Sequence, residues 1–267
     1  MCGIVGIIGA DKTFTNAHRA AGKIQHRGTD GVGALFSDGT RFIPPAPHRV
    51  LGEVPESQNS WPGEKPETAH LALLHIRYGT SGSRKKLANT QPFLVDSPYH
   101  GAFALAHNGD TRDEDILRES LLRRGVAFQS DSDSEALAHL IALSNKPSLP
   151  EAIVAALANV ASAYALVLAT PSFLVAVRDP FGIRPLSIGK LSGGGYIVAS
   201  ETCAFEVVGA EYVRDVAAGE VVVIDKDGPR TAATFPPAPR LARCIFELVY
   251  FSDPSSEPFG LGVEASM

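Results

Sequence analysis

The sequence contains few cysteines, no long hydrophobic run and no excess of basic residues. Its three cysteines are Cys2, Cys203 and Cys244, too few and too scattered for a disulfide framework or a four-thiolate metal site. No stretch approaches the roughly 18 consecutive apolar residues of a membrane span, and the N-terminus lacks the basic and apolar regions of a signal peptide. With 24 Lys and Arg against 29 Asp and Glu, nucleic acid is not expected as the main partner. These features predict a protein of the reducing cytoplasm, without a membrane partner and with Cys2 as a free thiol.

What the 267 residues do contain is typical of a globular protein, with 45% hydrophobic and 20% charged residues. Short apolar runs bounded by turn residues predict strands before and after a helical block. The predicted strands are Cys2–Ile8, Gly33–Phe36, Leu71–Tyr78, Ala102–Ala106, Tyr164–Ala169, Leu174–Val177, Tyr196–Ser200 and Glu220–Ile224. Strands, then helices, then strands again favour two sheets with helices stacked on them over alternating βαβ units.

The helical block lies between these two groups of strands. Ile116, Leu117 and Leu121 share one side of a predicted helix that ends at Gly125. Two further sets keep helical spacing: Leu137, Leu140 and Ile141, and then Ile153, Leu157 and Val160. Pro44–Pro66 is rich in Pro, Glu and Ser and is predicted to be an exposed excursion.

A proline-rich segment divides the chain near its C-terminal end. Phe235–Pro239 contains three prolines and is predicted to be a stiff connector. We therefore expect one domain over residues 2–235 and a tail over residues 236–267, which contains a last apolar run at Cys244–Phe251.

Cys2 is the position that points most directly to chemistry. Removal of Met1 would leave a thiol and a free α-amine on one residue. The reference pKa is about 7.7–8.0 for the amine and about 8.5 for the thiol, so the amine can accept the thiol proton at neutral pH. On position alone, a small buried residue in an N-terminal strand explains Cys2 equally well.

Four further clusters place polar side chains beside glycines or at an element end. They are His26–Gly28, His75–Gly82, Ala106–Gly109 at the end of an apolar strand, and Ser132–Glu135. Strand ends and loops are where side chains and backbone N–H groups can face a ligand. For Ser132–Glu135 capping of a helix N-terminus is a sufficient explanation.

Taken together and in this order, the motifs resemble those of the class II glutamine amidotransferases. Later runs match as well, at Arg178–Leu186 and Ala199–Glu201, and the tail run Cys244–Phe251 is similar to that of amidophosphoribosyltransferases in particular. The resemblance implies an α+β fold, a four-layer αββα sandwich of the N-terminal-nucleophile hydrolase type.

The resemblance also implies catalytic roles. Cys2 would attack the side-chain amide of L-glutamine, with its own α-amine as base. The Asn108 side chain and the Gly109 N–H would form the oxyanion hole, and Arg27 would position Cys2.

Three residues would bind the substrate. Arg77 would hold the α-carboxylate of glutamine through its bidentate fork, and Asp133 would pair with the α-ammonium. Thr80 would lie on a loop that closes over the substrate, where Gly79 replaces a proline common in the family and adds backbone freedom.

No metal or cofactor is expected. The histidines outside the motifs lack metal-ligand spacing. Cys244 stands where some amidophosphoribosyltransferases place one ligand of an iron–sulfur cluster, but the three further thiolates that a cluster needs are missing from the sequence. The paired acidic residues and Gly/Thr-rich loop that bind phosphoribosyl pyrophosphate in those enzymes are also missing. The sequence therefore predicts a glutaminase that passes ammonia to a separate acceptor synthase.

Two other functions remain open at this stage. One is an amide hydrolase of the same fold acting on another substrate, against which Arg77 and Asp133 argue. The other is a non-catalytic scaffold or regulatory subunit, against which the presence of Cys2, Asn108 and Gly109 argues.

Overall fold

The computed structural model describes residues 1–44, 46–61, 66, 68–79, 85–160 and 162–263. Within these ranges the chain forms thirteen β-strands and five α-helices. The strands are β1 (Gly3–Ile8), β2 (Gly31–Ser37), β3 (His48–Leu51), β4 (Leu71–Arg77), β5 (Phe93–Ser97), β6 (Gly101–Thr111), β7 (Ser162–Ala169), β8 (Leu174–Arg178), β9 (Ser187–Leu191), β10 (Tyr196–Ala199), β11 (Ala210–Asp215), β12 (Glu220–Asp225) and β13 (Gly228–Thr234). The helices are α1 (Thr13–Lys23), α2 (Glu114–Arg123), α3 (Asp133–Ala142), α4 (Leu149–Leu157) and α5 (Cys203–Glu206).

The strands form two antiparallel sheets. The first has seven strands in the order β11-β9-β10-β1-β4-β2-β3, and the second has six in the order β13-β12-β8-β7-β6-β5. In the first sheet β1 lies between β10 and β4, with Gly3 opposite Ile76 and Val5 opposite Ala199. In the second sheet β6 lies between β5 and β7, with Asn108 opposite Ala165.

Three apolar layers hold these sheets and helices together. The middle layer lies between the two sheets and contains side chains such as Ile4 and Val167, both without solvent exposure. The outer layer of the first sheet packs it against α1 and α5, and that of the second packs it against α3 and α4. Two helical layers outside two sheets make a four-layer αββα sandwich, which confirms the predicted fold class.

Local sequence explains where the helices of the second outer layer begin and end. The Ser132 and Ser148 hydroxyl groups accept hydrogen bonds from the first turns of α3 and α4, as N-cap side chains do. Past the end of α2, Gly125 has a φ of +84°, in the left-handed region that favours glycine. The predicted stop of this helix at Gly125 is therefore confirmed.

The structure corrects the sequence predictions in several places. All eight predicted strands are present, but β6 continues to Thr111, so Asn108 and Gly109 lie within a strand and not at its end. The helix α1 was missed because its buried face consists largely of alanines, which give a weak hydrophobic pattern. Pro44–Pro66 was predicted to be exposed, yet its described residues include β3 and the buried Trp61. Val160 lies beyond the end of α4.

The tail packs back onto the main body. The Ala242 and Cys244 N–H groups donate to the Phe181 and Ile183 carbonyl oxygens at 2.8 and 3.1 Å. A single helical turn of π type follows at Glu247–Phe251. Among the described residues, none of the helices combines the length and the apolar character needed to cross a bilayer.

Candidate active site

Cys2 immediately precedes β1, the strand at the centre of the first sheet. Its side chain is half-buried, and its sulfur lies 3.6 Å from the Tyr78 carbonyl oxygen at the end of β4. Burial raises the pKa of the Cys2 thiol. The thiol therefore needs a neighbouring base to become a nucleophile at neutral pH.

Met1 precedes Cys2 in the structure, so the terminal amine next to Cys2 is that of Met1. Burial, together with the positive charges of Arg27 and Arg184, lowers the pKa of this amine to about 6. An amine in this environment is mostly neutral at pH 7 and can accept a proton. Removal of Met1 would place the amine on Cys2 itself.

Arg27 forms a hydrogen bond with the backbone of Cys2. Its Nε donates to the Cys2 carbonyl oxygen at 2.9 Å. The guanidinium has no solvent exposure and pairs with the carboxylates of Glu201 and Glu247. Burial would lower the pKa of Arg27, but these two carboxylates outweigh burial and raise it, so the side chain stays charged. The structure therefore places the predicted positioning residue in direct contact with Cys2.

Asn108 and Gly109 come from β6 of the second sheet. The Asn108 side chain is buried, and its Nδ2 has no hydrogen-bond partner among the described residues. A buried donor left unpaired is costly. At Gly109 a Cβ atom would lie 1.8 Å from the Ala163 carbonyl oxygen and 2.4 Å from Nε2 of His107. The backbone at this position has no room for any side chain.

Asp133 is the first residue of α3 and lines the same cavity as Cys2. Its Oδ2 accepts from the Thr111 N–H at 3.1 Å and its Oδ1 from the Ser134 N–H at 2.8 Å. Both Asp133 and the N-cap residue Ser132 are buried. The helix start thus fixes a carboxylate inside the site, in addition to being capped.

Arg77 is the last residue of β4 and is 4% exposed. Gly79, two residues later, donates its N–H to the Asp30 carboxylate at 2.7 Å, which ties the chain down where it leaves the strand. Thr80, predicted to bind the substrate, lies outside the described residues.

A narrow cavity of about 20 Å³ joins these elements. The residues that line it include ones that carry thiol, guanidinium and carboxylate groups. They are contributed by Cys2, Arg77, Tyr78, Gly79, Gln91, His107, Gly109, Ser132, Asp133 and Ser134. A cation, a carboxylate and a thiol around one cavity suit an amino acid that carries a reactive side chain. Arg27 and Asn108 are not among the residues that line this cavity.

Several residues of the site received no role in the sequence analysis. Gln91 accepts from the His107 N–H at 2.6 Å and donates to the Ser134 hydroxyl at 3.1 Å. Nδ1 of His107 lies 2.9 Å from the same hydroxyl, which in turn donates to Asp133 at 3.2 Å. This buried network fixes the orientation of Asp133. Glu201 and Glu247, which hold Arg27, were also missed. The pairing of such distant residues leaves no signal in a single sequence.

No group of three or more His, Cys, Asp or Glu side chains arranged to hold a metal ion occurs in the described part of the chain. The three cysteines form no disulfide.

Comparison with known proteins shows which proteins the chain is similar to. A family model described as a glutamine amidotransferase domain matches residues 81–207. Amidophosphoribosyltransferase 2, chloroplastic, of Arabidopsis thaliana is 39% identical over 99% of this chain and 46% of its own length. Amidophosphoribosyltransferase of Bacillus subtilis is 36% identical over 99% of this chain and 54% of its own length. The chain thus spans about half the length of these curated relatives.

Solved structures agree with the sequence comparisons. A B. subtilis glutamine phosphoribosylpyrophosphate amidotransferase, complexed with ADP and GMP, superposes with a TM-score of 0.85 at 36% identity, over 98% of this chain and 55% of that one. A glutamine aminotransferase class-II domain protein from Silicibacter pomeroyi has a TM-score of 0.55 at 16% identity, over 88% of this chain and 100% of that one, and shares the fold alone. Motifs, fold and relatives agree: the chain contains a glutamine amidotransferase domain that is similar to those of the class II enzymes.

Proposed function

We propose that this chain hydrolyses L-glutamine to glutamate and ammonia through a thioester on Cys2, and that the ammonia passes to a separate acceptor synthase. The observation that carries the proposal is the arrangement of the cavity. The Cys2 thiol shares it with Arg77, Asp133 and Gly109, and Gly109 follows Asn108, whose buried Nδ2 has no hydrogen-bond partner among the described residues.

Recognition of the substrate follows from charge and burial. Arg77 offers a planar fork of N–H donors to the α-carboxylate of glutamine. Asp133, held by the Thr111 and Ser134 N–H groups, faces the α-ammonium. These two charges anchor the amino-acid end of the substrate, so the side-chain amide extends toward Cys2. The cavity has room for about one water molecule, so glutamine needs more space than the described walls leave beside Met1.

The first half of the reaction forms the thioester. The α-amine of the processed Cys2 takes the thiol proton, and the sulfur attacks the side-chain amide carbon. The carbonyl oxygen becomes an oxyanion that accepts from Nδ2 of Asn108 and from the Gly109 N–H. When the C–N bond breaks, the amine returns its proton to the leaving nitrogen, and ammonia departs.

The second half restores the enzyme. A water molecule gives a proton to the same amine and attacks the thioester carbon, again through an oxyanion held by Asn108 and Gly109. The C–S bond breaks, the thiolate regains the proton and glutamate leaves. Burial and nearby positive charges lower the pKa of the Met1 amine, and an amine freed on the adjacent Cys2 would serve as the base in both halves.

The tail offers a surface for the acceptor synthase. Around its helical turn, apolar side chains are exposed to solvent at 60% for Ile245, 59% for Phe246, 47% for Val249 and 79% for Tyr250. Exposed apolar clusters of this kind mark protein contacts. A Tyr250→Glu variant would test the surface in co-purification from the native cell. Loss of a stoichiometric partner that accepts ammonia supports the proposal, and its retention contradicts this placement of the surface.

Glutamate release by the purified chain with Met1 removed tests the proposed activity. Cys2→Ala should abolish release, whereas Cys244→Ala should keep it. Equal rates in the Cys2→Ala variant and the unmodified chain would overturn the assignment of the nucleophile. The free state of all three thiols supports a reducing compartment as the site of action.

A further inference from the structure

The guanidinium of Arg27 is enclosed by three backbone or side-chain groups from distant parts of the chain. Nε donates to the Cys2 carbonyl oxygen at 2.9 Å. Nη1 contacts the Glu201 carboxylate at 2.5 Å and one oxygen of Glu247 at 3.0 Å, and Nη2 contacts the other oxygen of Glu247 at 2.9 Å. None of these three charged side chains has any solvent exposure.

Glu247 belongs to the tail, yet its carboxylate binds Arg27, which in turn contacts the proposed nucleophile Cys2. Its two oxygens face Nη1 and Nη2 of Arg27, in the two-point geometry that fixes the plane of a guanidinium. Once this plane is fixed, the direction of the Nε–H bond toward the Cys2 carbonyl is fixed as well. Cys2 carries both the thiol and, after processing, the amine, so its backbone position sets the position of both groups.

The same tail is anchored separately, away from Arg27. Lys23 pairs with Asp253 at 2.9 Å, and the Ala242 and Cys244 N–H groups donate to the Phe181 and Ile183 carbonyl oxygens. These contacts hold the tail in place without touching the guanidinium. The attachment of the tail and the orientation of Arg27 can therefore be changed independently.

We propose that Glu247 is a positioning residue for the nucleophile: it orients Arg27, and Arg27 in turn orients Cys2. This inference rests on the proposed glutaminase function and deepens it, because it makes the tail part of the catalytic unit. A buried arginine that loses one of its two carboxylates turns toward the other, here Glu201, and its Nε–H then leaves the Cys2 carbonyl.

The test compares Glu247→Gln with the unmodified full-length chain, both with Met1 removed. The amide of Gln keeps the size of the side chain but replaces one acceptor oxygen by a donor. We expect the maximal rate of Cys2 alkylation by 6-diazo-5-oxo-L-norleucine, and kcat for glutamine, to fall about tenfold to a hundredfold, as expected for a misplaced reacting group. KM and the half-saturating concentration of the reagent should stay unchanged, since Arg77 and Asp133 are untouched.

Two control variants separate positioning from anchoring. Glu257→Gln changes an exposed carboxylate of the same tail and should leave the alkylation rate unchanged. Lys23→Met loosens the tail, and it should lower the unfolding midpoint but not the alkylation rate. If Lys23→Met slows alkylation as much as Glu247→Gln does, Glu247 acts through the attachment of the tail and the inference is wrong.

The remaining outcomes are also decisive. If the unmodified chain is not alkylated at Cys2, the proposed function fails first. If it is alkylated and Glu247→Gln reacts equally fast, only the present inference fails. If Glu247→Gln does not fold, Glu247→Asp is the alternative, because it keeps the negative charge on a side chain that is shorter by one methylene. That variant should react more slowly than the unmodified chain, and an unchanged rate would overturn the inference.

Discussion

Asn108 and Gly109 stand side by side on β6, one with a buried amide nitrogen that has no partner among the described residues and the other with no space for a side chain. The unpaired nitrogen costs stability, and the lack of space excludes every residue except glycine at position 109. Both features are explained if Asn108 and Gly109 form a binding site for the oxyanion, a negative charge that develops only during the reaction. Electrostatic preorganisation of this kind supplies a large part of the rate enhancement in many enzymes.

Replacing Asn108 should lower activity much more than it lowers stability. Asn108→Ala removes the proposed oxyanion donor, and we expect kcat to fall by about 10²–10³, equivalent to about 2.7–4 kcal/mol. The unfolding midpoint should not fall in proportion, because the lost amide nitrogen makes no hydrogen bond in the described structure. Steady-state kinetics and thermal unfolding on the same samples check both parts. A loss of stability that matches the loss of activity would contradict the assignment.

Gly109 should tolerate no side chain. In Gly109→Ala the new methyl group meets the Ala163 carbonyl oxygen, so we expect a destabilisation of about 1–3 kcal/mol together with loss of glutaminase activity. Gly22→Ala in α1 is the matched control. Nothing lies within 4 Å of its added Cβ, and alanine is favoured over glycine inside a helix by about 0.5–1 kcal/mol. Urea unfolding should therefore move in opposite directions for the two variants, and parallel shifts would contradict the packing described at Gly109.

Arg77 should control substrate binding more than turnover. Lysine keeps the positive charge but loses the planar fork, so Arg77→Lys should lose one charged hydrogen bond of about 1.5–3 kcal/mol, tenfold or more in KM. We expect kcat to change much less. Arg41→Lys, at an arginine that is 79% exposed, should leave both parameters unchanged. A loss confined to kcat would place Arg77 in the chemical step instead.

The buried histidines predict how stability depends on pH. Burial lowers the pKa of His75 to about 3 and also lowers the pKa of His107. In the unfolded chain the pKa of a histidine is about 6.5, so on acidification the unfolded state binds the proton first. The stabilising contribution of neutral His75 is therefore complete above pH 6.5, and falls by about 1.4 kcal/mol per pH unit as the pH drops toward 3.

Urea unfolding between pH 7 and pH 5 measures this slope. The His75→Gln variant should show a shallower decline than the unmodified chain, while the contribution of His107 remains. Equal slopes in the two proteins would contradict the buried, neutral state of His75.

The sequence alone predicts the parts of this molecule that depend on local patterns. Runs such as Leu71–Tyr78 and Tyr164–Ala169 indicate buried strands because every residue or every second residue is apolar. The helix α1 escapes the same reasoning because Ala17, Ala20 and Ala21 bury a face that is small rather than strongly hydrophobic.

For the candidate site, motif order predicts Cys2, Arg77 and Asp133, which line one cavity in the structure, but it does not predict the contacts that hold them in place. The pairing of Arg27 with Glu247 joins residues 220 positions apart, and only the fold brings them together. The lack of space at Gly109 likewise depends on Ala163 in a neighbouring strand. Supporting contacts of this kind are set by tertiary packing, which local spacing does not encode.

The most direct test of the account is the intact mass of the chain before and after incubation with 6-diazo-5-oxo-L-norleucine. The first mass shows whether Met1 has been removed. The account predicts a processed chain that gains one adduct on Cys2, with excess glutamine protecting it and with Arg77→Ala reacting far more slowly. A processed chain in which Cys2 never reacts, or reacts equally fast with and without glutamine, would contradict the claim that Cys2 is the nucleophile of a glutamine site.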